Sequence, residues 1–239
     1  MSFFRALGKA CGPWFRRSKW VLAELMGTDE EIARAERGVG TDMLHAFAGR
    51  RKRDQKPASN PRVERIGARL AEHVSSPLCR FQFLGFSGSE LNALALPGGF
   101  ILVSAPLIEL CGQSDDELAF AVAHEMAHVV LRHARDRLVS RAVMAVLNST
   151  AAPAGSAVME RAAKTFINSA YSREQESEAD QYAVRLCRRA GFDPSGVVRF
   201  FERLLKLDPS TDWLAGYFSS HPPTADRLAH VRRLGGKGN

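Results

Sequence analysis

Cysteine is scarce in this chain of 239 residues. Cys11, Cys79, Cys111 and Cys187 are scattered and form no C-x-x-C pair, so neither a zinc–thiolate site nor a disulfide framework is indicated. Reduced thiols in a cytoplasmic protein are the simplest account. Long apolar runs are also missing. Leu91 to Ile108 carries no charge, but Pro97-Gly98-Gly99 breaks it and its residues favour strands. Ala142 to Met159 is diluted by Asn148, Ser149, Thr150 and Pro153 and reads as a lid-like segment. No transmembrane helix is expected. The N-terminus has no continuous apolar core and no small-residue cleavage site, which argues against a secretory signal. Aromatics make up 8% of the chain and are not interleaved with basic residues as in nucleic-acid binders, so no nucleic-acid partner is expected. No internal repeat is present.

What remains is ordinary for a globular protein, with 45% hydrophobic and 25% charged residues. The net charge of +7 is unevenly placed, since residues 1–56 hold 12 Lys and Arg against 7 Asp and Glu. Arg50-Arg51-Lys52-Arg53 reads as a solvated basic connector. Phe3, Phe4, Leu7, Trp14, Phe15, Trp20, Val21 and Leu22 alternate with basic residues in an interfacial pattern that predicts peripheral membrane contact.

The most informative stretch is His124-Glu125-Met126-Ala127-His128. Imidazoles at i and i+4 share a helix face, roughly 6 Å apart along the axis at about 1.5 Å per residue. Two corners of a tetrahedral zinc site need that spacing, and Glu125 lies where it can take a proton from a metal-activated water. The context is helical. Ser114 to Glu117 fits a capping box, and no Gly or Pro interrupts before Arg141. Burying two His and a Glu within the apolar run Leu118 to Leu131 would be costly without a partner, and a bound cation supplies one.

A catalytic zinc ordinarily keeps three protein ligands and one open position. The segment from Tyr171 to Asp180 continues into Tyr182, Ala183, Val184 and Leu186 and reads as a second long helix. It offers two i, i+4 carboxylate pairs, Glu176 with Asp180 and Glu174 with Glu178, rotated about 160° apart. One member of a pair could bind metal while the other orients a ligand imidazole. Spacing does not choose between the pairs. Phe81–Phe86, Leu91–Leu96 and Phe100–Ser104 read as strands of a small antiparallel sheet, with Pro97-Gly98-Gly99 as a turn. His45, His73, His133 and His230 have no distinguishing partner spacing and read as structural or exposed.

H-E-M-A-H followed 48 positions later by E-S-E-A-D resembles the M48 family of zinc metallopeptidases, which are gluzincins. Asn92-Ala-Leu-Ala-Leu-Pro-Gly-Gly is similar to the family's N-A-x-x-x-P-G-G strand pair. Ser220-His-Pro-Pro-Thr-Ala-Asp-Arg227 is similar to its late H-P-P-T-x-x-R segment. The resemblance implies Glu176 as the third ligand beside His124 and His128, and Asp180 as the group that orients a ligand histidine. It also implies that the Asn92 strand binds substrate. His221 becomes either a removable fourth ligand or a stabiliser of the transition state, with Tyr217 as another helper. Arg227 is read as a substrate or oxyanion contact, or as the partner of an acidic group.

These readings converge on a mainly helical α+β, zincin-like metalloprotease domain over residues 57–239, its small antiparallel sheet packed near the H-E-x-x-H helix. A basic helical extension and linker over residues 1–56 precedes it. The expected function is zinc-dependent hydrolysis of peptide bonds in protein or peptide substrates, with one Zn2+ per chain and Glu125 as general base. A role in membrane-linked protein quality control rests on the resemblance alone. Two alternatives remain. One is a zinc-stabilised chaperone or adaptor without turnover, and the other is a latent protease closed by His221 or by the Ala142–Met159 segment.

Overall fold

A computed structural model describes residues 28–49, 51–76, 78–134, 136, 170–207, 221 and 225–235. The interfacial N-terminal segment, Cys11, the Ala142–Met159 segment and Tyr217 lie outside the described residues. The described elements are α1 (Asp29–Gly49), α2 (Pro61–Ala71), β1 (Gln82–Phe86), β2 (Ala93–Leu96), β3 (Phe100–Ser104), α3 (Ala105–Leu110), α4 (Asp115–Val130), α5 (Arg173–Arg189), α6 (Ser195–Leu205) and α7 (Ala225–Gly235). The chain is mainly helical with one small sheet.

The three strands fall where the apolar stretches predict, but the sheet is mixed and not antiparallel. Its order is β1-β3-β2. Pro97-Gly98-Gly99 folds β3 back along β2, so Leu94 pairs with Leu102 in an antiparallel ladder. The chain leaving β1 passes over one position, so β3 inserts between the other two and runs parallel to β1, Leu84 against Leu102. The antiparallel sheet expected from the sequence is thus corrected at the β1–β3 pair, which is parallel.

Both faces of the sheet are covered. Ala93, Ala95, Ile101 and Val103 point into a core shared with Val63, Ile66 and Leu70 of α2 and with Leu118, Ala119 and Val122 of α4. The alternate residues Leu94, Leu96, Phe100 and Leu102 pack with Met43 and Phe47 of α1. Period-two alternation therefore serves two cores, which is why these strands read as continuous apolar runs. Close approach of α1 depends on glycine. A Cβ on Gly40 would lie 1.8 Å from the carbonyl oxygen of Pro97. Arg37 of α1 donates to the carbonyls of Gly98 at 2.7 Å and Arg80 at 2.8 Å, with its guanidinium 4.0 Å from the centre of the Phe100 ring.

The basic connector is not wholly solvated. The Arg51 guanidinium lies over the rings of Phe47 and Phe86, at 4.4 and 4.5 Å, where cation–π attraction offsets its partial desolvation. A few residues on, Ala58 and Gly85 exchange backbone hydrogen bonds at 2.9 Å, tying this stretch to β1.

Candidate metal centre

Helix α4 starts where the capping box predicts, with Ser114 Oγ accepting from the Glu117 N–H at 3.4 Å. Every residue from Glu117 to His128 is buried, because α2, α5, α6 and β2 all pack against this helix. His124, Glu125 and His128 thus lie in the interior. Helix α5 begins at a capping box the sequence reading did not identify, in which Ser172 and Gln175 satisfy each other's backbone N–H groups at 3.1 and 3.2 Å. Its buried stripe runs Glu176, Ala179, Asp180, Ala183, Val184 and Cys187. Burial separates the two carboxylate pairs. Glu176 and Asp180 face inward on the apolar stripe, while Glu174 and Glu178 lie on the exposed side.

One cluster gathers His124, His128, Glu176 and His221, whose candidate ligand atoms all lie within 4.8 Å of one another. His124 Nε2 is 3.2 Å from His128 Nε2 and 3.4 Å from Glu176 Oε2, and His128 Nε2 is 3.3 Å from Glu176 Oε1. His221 Nδ1 lies 2.9 Å from Glu176 Oε1 and 3.3 Å from His124 Nε2. Its other nitrogen, Nε2, is 3.4 Å from Glu125 Oε1. Both carboxylate oxygens of Glu125 are buried, with no hydrogen-bond partner among the described residues.

Behind the cluster sits a charged support. Asp180 Oδ1 lies 3.0 Å from His124 Nδ1, the nitrogen remote from the cluster. Arg227 of α7 donates through Nε and Nη2 to the two Asp180 oxygens at 2.8 and 2.7 Å, and its Nη1 lies 2.6 Å from Glu176 Oε2. Of the two roles read for Arg227, the structure places it as the partner of acidic groups, with its guanidinium turned onto carboxylates. Burial opposes charge on Glu176, but His221, His124 and Arg227 hold that carboxyl well below the usual range. Arg227 and His124 do the same for Asp180 against its burial. Burial also opposes a charged His124, yet Glu176 and Asp180 push its pKa up to about 9. His128 goes the other way. Its burial and the neighbouring His124 and His221 charges outweigh Glu176 and hold it well below the usual range.

Two participants escaped the sequence reading. His133, read as structural or exposed, is buried and hydrogen-bonds His128 Nδ1 through its own Nδ1 at 3.1 Å. Tyr171 stacks on the His128 ring, with centroids 3.7 Å apart and planes 13° from parallel. Neither shows as a helical i, i+4 signal. Asn92 lies just before β2, where its backbone N–H and carbonyl are both bonded to Ser104 at 2.9 Å. Its side-chain Oδ1 is buried with no hydrogen-bond partner among the described residues. Asn92 directly precedes β2, an edge strand of the sheet.

Two histidines and a glutamate contributed by successive long helices, with a second glutamate between the histidines, form a cluster of the composition that can hold a metal ion. Comparison with known proteins agrees. Residues 57–234 match the model of Peptidase family M48, and the chain belongs to that family. It is 30% identical to the metalloprotease LoiP of Escherichia coli K12 over 154 residues, covering 62% of this chain and 60% of that protein. Identity is also 30% to the metalloprotease YcaL of the same organism, over 72% of this chain and 68% of YcaL. With the beta-barrel assembly-enhancing protease of Escherichia coli K12 it is 27%, over 71% of this chain and 37% of the relative. The match therefore spans less than two thirds of LoiP and of the assembly-enhancing protease. No helix among the described residues is long and apolar enough to cross a membrane.

Proposed function

We propose that this chain is a zinc-dependent endopeptidase in which His124, His128 and Glu176 hold the metal and Glu125 is the general base. The observation that carries the reading is the spacing of the ligand atoms. Ligand atoms at tetrahedral corners about 2.0–2.1 Å from zinc lie about 3.3–3.4 Å apart. The two histidine Nε2 atoms are 3.2 Å apart, and each faces one oxygen of the Glu176 carboxylate, His124 at 3.4 Å from Oε2 and His128 at 3.3 Å from Oε1. Two nitrogens and one carboxylate oxygen also match the donor set of a catalytic site. A zinc ion there supplies the Lewis acidity that brings a water's pKa toward neutrality and polarises the scissile carbonyl.

The remaining steps belong to the side chains. The Glu125 carboxylate, buried and without a donor among the described residues, takes the proton of the attacking water and delivers it to the leaving amine. Asp180, with Oδ1 3.0 Å from His124 Nδ1, favours the tautomer that leaves His124 Nε2 free to bind metal, and Arg227 holds Asp180 and Glu176 in place. The outer edge of β2 pairs with an extended substrate segment, and Asn92 Oδ1 accepts a hydrogen bond from it. Substrates are proteins or peptides, and a role in protein quality control belongs to the same proposal. Peripheral membrane contact through the N-terminal aromatic and basic residues belongs to the same proposal, and vesicle co-flotation of the full chain tests it.

A second reading is favoured by His221, whose Nδ1 occupies the remaining corner of the cluster. In that reading the protease is latent until His221 withdraws. Casein cleavage by the purified protein, beside Glu125→Gln and His221→Ala with the zinc content of each, tests both readings. Zinc in all three and cleavage abolished by Glu125→Gln is the expected result. A gain in cleavage for His221→Ala supports latency, whereas a loss makes His221 an assisting group. Zinc-loaded wild type and His221→Ala proteins that both fail to cleave would refute the peptidase reading and leave a binding module.

A further inference from the structure

Building on the metal reading above, we infer that His133 and Glu178 form a relay that orients the ligand histidine His128, so that an exposed carboxylate on α5 sets the metal affinity of a buried site. His128 Nδ1, the nitrogen turned away from the cluster, lies 3.1 Å from His133 Nδ1, and His133 Nε2 lies 3.1 Å from Glu178 Oε2. The hydrogen-bond directions can be assigned from either end. A carboxylate only accepts, so a neutral His133 carries its proton on Nε2 and presents a lone pair at Nδ1. His128 must then donate from Nδ1, which leaves its Nε2 lone pair directed at Glu176 and His124. Starting instead from the metal, a ligand at His128 Nε2 requires the proton on Nδ1, and the same chain of donors and acceptors follows. Only one tautomer arrangement satisfies both ends.

The local backbone is built to bring His133 back. Helix α4 ends at Val130, and Arg132 adopts φ of 64°, a left-handed conformation that a non-glycine residue rarely takes. That turn folds the chain so that His133 returns over the last turn of α4. The next residue, Ala134, is buried in the cluster beneath α1 with Met43 and Phe47, which fixes the segment on its far side. Tyr171 covers one face of the His128 ring and so restricts its tilt, while the hydrogen bond to His133 fixes its rotation. The two ligand histidines thus have unlike supports. His124 faces a buried carboxylate, Asp180, directly, whereas His128 reaches a carboxylate that is 63% exposed through an intermediate imidazole. His133 and Glu178 are positioning residues, because neither reaches the cluster itself.

The test is zinc affinity by competition with a chromophoric chelator, together with the His128 tautomer read by long-range nitrogen–proton NMR of the zinc-loaded protein. His133→Phe keeps a ring but removes the acceptor, and is expected to weaken zinc binding about 10–100-fold, the cost of losing a partner that orients a ligand. Glu178→Ala lies on the surface and leaves packing untouched. It should lower affinity in the same direction by a smaller factor, while Glu178→Gln, which keeps an acceptor oxygen, should restore it. The wild type should show the His128 proton on Nδ1. If wild type binds zinc and Glu178→Ala and His133→Phe bind it equally tightly, the relay is refuted while the metal reading stands. Failure of the wild type itself to bind zinc would refute the metal reading instead. Glu178→Ala separates a relay from a general packing role, since a surface truncation that loosened no relay would leave affinity unchanged.

Discussion

Arg227→Met isolates what the guanidinium does behind the metal centre. The wild-type side chain makes short contacts to both Asp180 oxygens and to Glu176, and its own side chain is only 9% exposed. Methionine keeps the apolar stem but leaves two buried carboxylates without their shared cation. Breaking a buried pair by removing one partner costs about 3–5 kcal/mol. At about 2–4 °C per kcal/mol for a domain of this size, the metal-free variant should melt about 6–20 °C below wild type. The sign with pH follows from the carboxyls. In wild type, Glu176 and Asp180 both titrate below their usual range, so they contribute stability above the unfolded-state pKa and lose it as pH falls through the native values. Without Arg227, Asp180 loses its main opponent to burial while Glu176 keeps His221 and His124, so the native pKa rises chiefly at Asp180, and protonation in mild acid relieves the penalty. The gap between variant and wild type should therefore be widest near neutrality and narrow toward about pH 4–5, where unfolded carboxyls titrate. Zinc should narrow it further by giving Glu176 a second cation, but should not close it, since Asp180 has no contact with the ligand atoms other than through His124. Urea titrations at several pH values, with and without zinc, check all three statements. A deficit under about 1 kcal/mol, or one that stays constant between neutral and mildly acidic pH, would place Arg227 among surface-like pairs and refute the reasoning.

Two shorter predictions follow. With His124 pushed up to about 9 and His128 held well down, zinc uptake slightly above neutral pH should release about one proton from the histidine pair, and affinity should climb with pH until about 9. Calorimetry in buffers of different ionisation heat measures the release, and none at all would contradict that assignment. Two glycines on α1 should respond with opposite signs. Nothing lies within 4 Å of a Cβ on Gly38, so Gly38→Ala should stabilise by about 0.4–1 kcal/mol, whereas Gly40→Ala meets the Pro97 carbonyl and should destabilise by about 1–3 kcal/mol. Equal effects in urea denaturation would mean that α1 does not hold its place against the turn.

What the sequence disclosed and what it withheld divide along the range of the interactions. The start of α4 at Ser114, the strands and the Pro97-Gly98-Gly99 turn are written in local patterns, because caps and periodicity act over a few residues. The pairing of His124 with His128 is equally local. Choosing Glu176 and Asp180 over Glu174 and Glu178 needed either the family resemblance or knowledge of which side of α5 is buried, a property of the packed molecule. Strand order was missed for the same reason, since β3 enters between two strands that precede it. His133 was missed because its link to His128 crosses a helix end and a left-handed residue, where no fixed spacing applies. Arg51 looked like linker charge until its neighbours turned out to be two aromatic rings.

The family match begins at residue 57, yet one face of the sheet is covered by a helix that ends at Gly49. A fragment cut at the family boundary would expose Leu94 and Leu96 of the edge strand β2 beside Phe100 and Leu102 of β3. Such a surface favours association between copies over proteolysis of anything else. The smallest unit that can be purified as a monomer is thus set by the second core and not by the family boundary, and it must retain α1.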